Sequence, residues 1–136
     1  MLEPPSNSMD NVNNMESDSL TRAIIGAAIE VHKSLGSGLL ESIYEEALCY
    51  EFELRGVKYQ RQVSVDVVYK GKIIKGQRID IIVEGEVILE LKSLSRMHEV
   101  VMAQILSYLK ATGLKRGLII NFGEKRLVDG IKRVSN

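Results

Sequence analysis

Cysteine occurs once in the 136 residues, at Cys49. A single cysteine excludes a disulfide within the chain and a cysteine-based zinc site, and it suits a reducing, cytoplasmic compartment. Excess charge is also missing: 18 Lys and Arg balance 18 Asp and Glu. The chain therefore has no global basic field of the kind that drives non-specific binding to phosphate backbones, although local clusters remain. No apolar run approaches the roughly 20 residues of a membrane span, and the first residues lack a basic-then-apolar leader pattern. No Gly-rich phosphate loop ending in Lys-Ser/Thr, no Cys/His metal spacing, no nucleophilic triad and no internal repeat is present. What remains is an ordinary globular composition, 45% hydrophobic and 26% charged, of a length that makes one domain with a proper core.

Residues 1–18 are rich in Asn, Ser, Pro and acids and poor in apolar side chains. They are expected to form a disordered tail, with the folded domain spanning 19–136. Leu20, Ile24, Ala27, Val31 and Leu35 recur at helical steps, predicting a helix that ends at Gly36 and Gly38. A second helix is expected from Leu39 or Leu40 to Arg55, with Ile43, Ala47, Leu48 and Leu54 as its apolar side. His32, alone on the first helix, reads as a satisfied histidine. Tyr59–Tyr69 alternates, with Val63, Val65 and Val67 on one face, predicting a half-buried strand. After the Lys70-Gly71-Lys72 turn comes a second strand, irregular at Gly76. Ser93 or Ser95 is expected to cap a third helix running to Ala111, with Met97, Val101, Ile105, Tyr108 and Leu109 buried. Gly117–Gly123 reads as a buried strand parallel to its partner, and the segment from Leu127 to Val134 as a short helix or a last strand. The order is α-α-β-β-β-α-β, an α/β fold with a mixed sheet.

Its organising stretch is Arg78–Lys92, two apolar strands around a turn at Glu84-Gly85-Glu86. If three residues make the turn, Val83 pairs with Val87 and Asp80 falls opposite Glu90. Lys92, two residues on from Glu90, shares that face. A one-residue slip would send Asp80 to the other side. Two carboxylates can hold Mg²⁺ (or Mn²⁺), leaving its other positions to water and substrate. The Leu91 carbonyl is a further candidate oxygen ligand. Lys92 is a candidate for orienting water or stabilising charge, preferably as an ammonium, since neighbouring carboxylates favour the charged form. Glu41, at the start of the second helix, is a candidate third acid; the competing reading is that it only complements the helix dipole. Gln104 and Tyr108, four apart on the third helix, can brace the lysine or the substrate. The competing reading of the whole set is a solvated polar face at a sheet edge.

Asp80 followed by Glu90-Leu91-Lys92 resembles the PD-(D/E)XK nuclease superfamily signature, with Ile79 in place of the proline. Gln104-Ile105-Leu106-Ser107-Tyr108 is similar to the Gln-x-x-x-Tyr motif of its recombination-type exonuclease branch. Gly38-Leu39-Leu40-Glu41-Ser42-Ile43-Tyr44 resembles the signature of the small GxxExxY family, with the likeness continuing through Arg78-x-Asp80 and Gly117–Phe122. The resemblance implies a restriction-endonuclease-like α-β-β-β-α-β core. It further implies a metal-dependent phosphodiesterase acting on DNA or RNA, with Asp80, Glu90, Lys92 and Glu41 catalytic and Tyr44, Arg78, Gln104 and Tyr108 in support. The alternative is a binding-only module that keeps the nuclease fold and contacts nucleic acid or a protein partner. The basic clusters Lys70/Lys72/Lys75/Arg78 and Lys125/Arg126/Lys132/Arg133 are available for a backbone. A homodimer is compatible with so small a chain, without any interface residue standing out.

Overall fold

A computed structural model describes the backbone of residues 8–136 and the side chains of residues 19–136. The elements run α1 (Ser8–Leu35), α2 (Glu41–Arg55), β1 (Tyr59–Tyr69), β2 (Lys72–Val83), β3 (Val87–Lys92), α3 (Glu99–Thr112), β4 (Arg116–Asn121), a single 3₁₀ turn (Leu127–Gly130) and β5 (Ile131–Ser135). The final segment thus uses both expected forms in succession. The sheet is ordered β1-β2-β3-β4-β5. Its first three strands are an antiparallel meander, β4 lies parallel to β3, and β5 returns antiparallel to β4. This is the mixed α/β arrangement that the residue pattern predicts.

Alternation along the strands divides the core in two. Ile81, Val83, Leu89, Leu91, Leu118 and Ile120 face α1 and α2, where they meet Ile24, Val31, Tyr44, Leu48 and Phe52. Ile82, Ile88 and Ile119 face α3 and pack on Val101, Ile105, Tyr108 and Leu109. β3 and β4 are covered on both sides, which is why their sequences are nearly unbroken apolar runs. Gly117 lets α3 approach closely: a Cβ there would lie 2.7 Å from the Ile105 side chain.

Several boundaries and faces differ from expectation. α1 begins at Ser8 rather than Ser19, because extending an existing helix costs far less than nucleating one; the part of the expected disordered tail in residues 1–7 lies outside the described residues. α2 buries Tyr44, Leu48, Cys49 and Phe52, whereas Ile43 and Leu54 are exposed. Both sets satisfy helical spacing, and the rotation is decided by Tyr44, which stacks on Phe122 with ring centroids 4.4 Å apart. α3 begins at Glu99, after His98, with no side-chain cap. Neither Ser93 nor Ser95 caps it, and Met97 lies in the preceding loop, half-buried against the α3-side core.

That loop is held by other bonds. Ser93 Oγ donates to the Leu39 carbonyl at 2.6 Å. Asn121, fully buried, accepts from the Leu94 N–H at 2.9 Å and donates to the Leu94 carbonyl at 3.0 Å. The end of β3 is thereby tied to the glycine turn ahead of α2. β1 buries only Val65; Val63 is half-buried and Val67 exposed. His32 Nε2 donates to the Glu124 carbonyl at 2.8 Å, as a satisfied histidine should. Cys49 is buried, and burial pushes its thiol up to about 12, so it is no nucleophile at neutral pH.

Candidate active site

The β2–β3 ladder runs Val83↔Val87, Ile82↔Ile88, Ile81↔Leu89 and then stops. The next step in the same register sets Asp80 opposite Glu90. Here the backbones separate and side chains take over the ladder's bonds. The Asp80 N–H donates to Glu90 Oε2 at 3.1 Å, and the Leu91 N–H donates to Asp80 Oδ2 at 2.8 Å. Two carboxylates thus form the fork where the strands part. β3 is held firmly while it does so, because its other edge stays paired to β4 through Glu90↔Ile119, Leu91↔Ile120 and Lys92↔Asn121. The Lys92 carbonyl accepts from the Phe122 N–H on the β4 side. Carbonyls alternate along a strand, so that of Leu91 points to the fork side.

Glu90 is 3% exposed. Burial pushes its carboxyl up to about 8; the Asp80 charge adds to the rise, while the Asp80 N–H and the Lys92 charge oppose it. Asp80, half-buried, is also raised, first by burial. The Leu91 N–H and the Lys92 charge restrain it, and the carboxylates of Glu45 and Glu41 on α2 push the same way as burial. A buried acid and a half-buried one, both raised first by burial, thus share one centre with the Lys92 charge.

The other sequence-selected residues surround this fork in different ways. Glu41 heads α2, exposed, and its charge reaches both fork acids. It borders an open cavity of about 370 Å³ lined by Leu39, Leu40, Glu41, Ser42 and Ser93. Among the described residues, no three Asp, Glu, His or Cys side chains are grouped to hold a metal, so the converged set is the pair Asp80 and Glu90. On α3, Gln104 donates to the Tyr108 hydroxyl at 2.9 Å. Tyr108 is buried; its hydroxyl is raised by burial and then by the Glu90 charge. Arg78, two residues before Asp80, is exposed on β2 opposite Ser64.

Tyr44 plays a different part. Its hydroxyl donates to the Gly36 carbonyl at 2.5 Å and accepts from the Leu39 N–H at 3.2 Å. Gly36 and Gly38, at φ 72° and 101°, make the turn that this hydroxyl fastens. Tyr44 therefore fixes the segment presenting Glu41 rather than reaching the fork. Tyr44→Phe should lower stability by about 1 kcal/mol, the usual worth of such hydrogen bonds where water can replace them. Chemical denaturation checks this.

Glu45 escaped the sequence reading. It is buried one turn after Glu41, and its two oxygens accept from Arg61 Nε at 3.0 Å and Gln62 Nε2 at 2.8 Å. Arg61 also reaches Glu46 at 3.0 Å. The available signal was the four-residue spacing from Glu41, which puts both acids on one side of α2.

A sequence model of the PD-(D/E)XK nuclease superfamily matches residues 18–134. No curated protein and no solved structure matches the chain. Among the described residues, no helix is long and apolar enough to cross a membrane. The match spans nearly the whole chain, including the fork of Asp80, Glu90 and Lys92, and the chain belongs to the PD-(D/E)XK nuclease superfamily.

Proposed function

We propose that the fork is the centre of a divalent-metal-dependent nuclease that hydrolyses phosphodiester bonds in DNA or RNA. The observation that carries this reading is the exchange of ladder bonds for carboxylate bonds at Asp80 and Glu90. A sheet gains nothing from replacing backbone pairs by one buried and one half-buried acid, whose clustering is unfavourable without a positive ion. The donor set fits Mg²⁺ or Mn²⁺: hard oxygen ligands from Asp80, Glu90 and the fork-side carbonyl of Leu91, with Glu41 near enough to contribute electrostatically. When bound, such an ion supplies charge neutralisation at the phosphate and activation of water.

The chain's own residues supply the rest. Asp80 and Glu90 would hold the ion against the reacting phosphate, and the pairing of β3 to β4 keeps Glu90 in place. Lys92, half-buried beside them, acts as an ammonium. It donates hydrogen bonds to the attacking water or a phosphate oxygen and is worth most where charge develops. Gln104, half-buried, and Tyr108, buried, form a brace on the α3 side. The leaving oxygen takes its proton from solvent water.

The segment Gly38–Tyr44 also supports membership in the narrower GxxExxY group. Its glycine makes the turn, its tyrosine fastens it and its glutamate is delivered to the mouth of the site. The test is cleavage of end-labelled single- and double-stranded DNA and RNA with Mg²⁺ or Mn²⁺, with a chelator control and an Asp80→Asn variant prepared in parallel. Cleavage by the wild type that vanishes with chelator and with Asp80→Asn is expected. Equal activity in wild type and variant would mark it as contamination and remove the proposal.

A further inference from the structure

Beyond the fork, β2 leaves β3 and is carried by β1 alone. From Asp80 back to Lys72 this two-stranded ribbon extends about 25 Å at the usual strand rise. It is a basic part of a chain with no net charge. Residues 66–78 carry Lys70, Lys72, Lys75 and Arg78 against one acid, Asp66, which is already paired to Lys75 at 3.1 Å. It is also apolar where nothing covers it. Val68 and Ile73 form a cross-strand pair at 66% and 57% exposure, and Val67 and Ile74 form another. Tyr69, closing the hairpin opposite Lys72, is 59% exposed. An uncovered ribbon of this kind is only marginally stable in water.

Its tip has a conformation that a lysine adopts at a cost. Lys70 and Gly71 both have positive φ, 49° and 81°. This is the two-residue hairpin turn that Asn-Gly or Gly-Gly makes most easily. A lysine at the first position is disfavoured locally and presents a cation at the end of the ribbon, 5.4 Å from the Tyr69 ring.

We propose that the β1–β2 ribbon is a grip for duplex DNA, with Lys70 and Lys72 on phosphates and the Val68–Ile73 pair against the groove, Tyr69 lying on the opposite face beside Lys72. Three observations favour this occupant over a second copy of the chain. The ribbon's net charge is positive, with its one acid, Asp66, already paired to Lys75, so it complements a phosphate backbone and is repelled by another copy of itself. It springs from the strand that carries Asp80, so whatever lies along it is delivered to the fork. A two-stranded ribbon matches the roughly 12 Å width of the B-DNA major groove, whereas the A-form RNA major groove is too narrow. The proposal rests on the nuclease reading of the fork and adds to it where the substrate lies.

The test is fluorescence-anisotropy binding of a labelled DNA duplex by the full chain in chelator, so that no strand is cut, over a series of salt concentrations. Alongside the wild type stand Lys70→Gln/Lys72→Gln, Tyr69→Ala and Val68→Ser/Ile73→Ser. The lysine variant should bind at least about tenfold more weakly, with the slope of log affinity against log salt reduced by about 2, near 0.9 per lost phosphate contact. Val68→Ser/Ile73→Ser should weaken binding and leave that slope unchanged, whereas Tyr69→Ala, on the opposite face, should weaken it far less. With metal present, KM should rise in the lysine variant while kcat is retained.

Duplex binding untouched by the lysine changes overturns the grip, and if the wild type still cleaves, the nuclease reading stands. Lysine-dependent duplex binding without cleavage supports the grip and overturns the nuclease reading. Three further results would overturn the grip: no duplex binding by the wild type, equal lysine dependence on single strands, or a dimer in sedimentation that Val68→Ser/Ile73→Ser dissociates without loss of DNA binding.

Discussion

Lys92→Ala should slow strand cleavage by about 10²- to 10⁴-fold, the range expected when a group acting only on the developing charge or the attacking water is removed. The fold should survive, because Lys92 is half-buried and the backbone of β3 carries its pairing to β4 without the side chain. Binding of Mn²⁺ should persist in the variant, since both carboxylates remain, although the loss of the ammonium leaves them harder to ionise. Lys92→Arg should keep more activity than Lys92→Ala, because a guanidinium still supplies positive charge. The checks are single-turnover cleavage and calorimetric Mn²⁺ titration of all three proteins. A Lys92→Ala enzyme as fast as wild type would remove the lysine from the chemistry.

Glu90→Gln should abolish cleavage and yet stabilise the protein in the absence of divalent cations. The Glu90 carboxyl sits at about 8 in the folded chain against an ordinary 4.5. The folded state therefore holds its proton more tightly than the unfolded state. Its contribution to stability is complete below about pH 4.5 and is lost as pH rises towards and through about 8. In chelator at pH 8, most of that contribution is gone in the wild type, while glutamine never ionises and can still accept the Asp80 N–H. The variant should gain on the order of a few kcal/mol at pH 8, shrinking to little at pH 4.5. Saturating Mn²⁺ should reverse the ranking by stabilising only the wild type, and its apparent affinity should rise with pH until Glu90 is ionised. Denaturation across that pH range, with and without Mn²⁺, reads all of this. A variant less stable than wild type at pH 8 in chelator would show that burial does not strain the acid.

The parts of this site that were legible in the sequence are those set by alternation and loop length. The three-residue turn at Glu84-Gly85-Glu86 fixes Val83 opposite Val87, and period two then carries Asp80 to Glu90 without further information. The parallel pairing of β4 followed from its unbroken apolar run after a helix. Sequence alone did not show that pairing ends at Ile81 and Leu89. Alternation is blind to whether a backbone N–H bonds a carbonyl or a carboxylate, and only the structure gives the bonds of Asp80 and Glu90.

Helix faces were less legible than strand faces. In α2, Ile43 and Leu54 compete with Tyr44, Leu48 and Phe52 for the same spacing, and a tertiary contact, Tyr44 on Phe122, settles the rotation. The start of α3 was placed too early because Ser93 looks like a cap, while its hydroxyl is spent on the Leu39 carbonyl across the molecule. Glu45 was missed because a buried acid is recognised by its partners, and those partners, Arg61 and Gln62, come from a strand that sequence spacing does not connect to it.

The central claim is that Asp80 and Glu90 together hold a divalent cation. Anomalous diffraction from a crystal soaked in Mn²⁺ tests it most directly. The account predicts a peak in the fork, contacting both carboxylates and the Leu91 carbonyl, with the Leu91 N–H to Asp80 and Asp80 N–H to Glu90 bonds adjusted around it. A saturating soak that leaves the fork without a peak, its two acids still bonded only to backbone N–H groups, would contradict it.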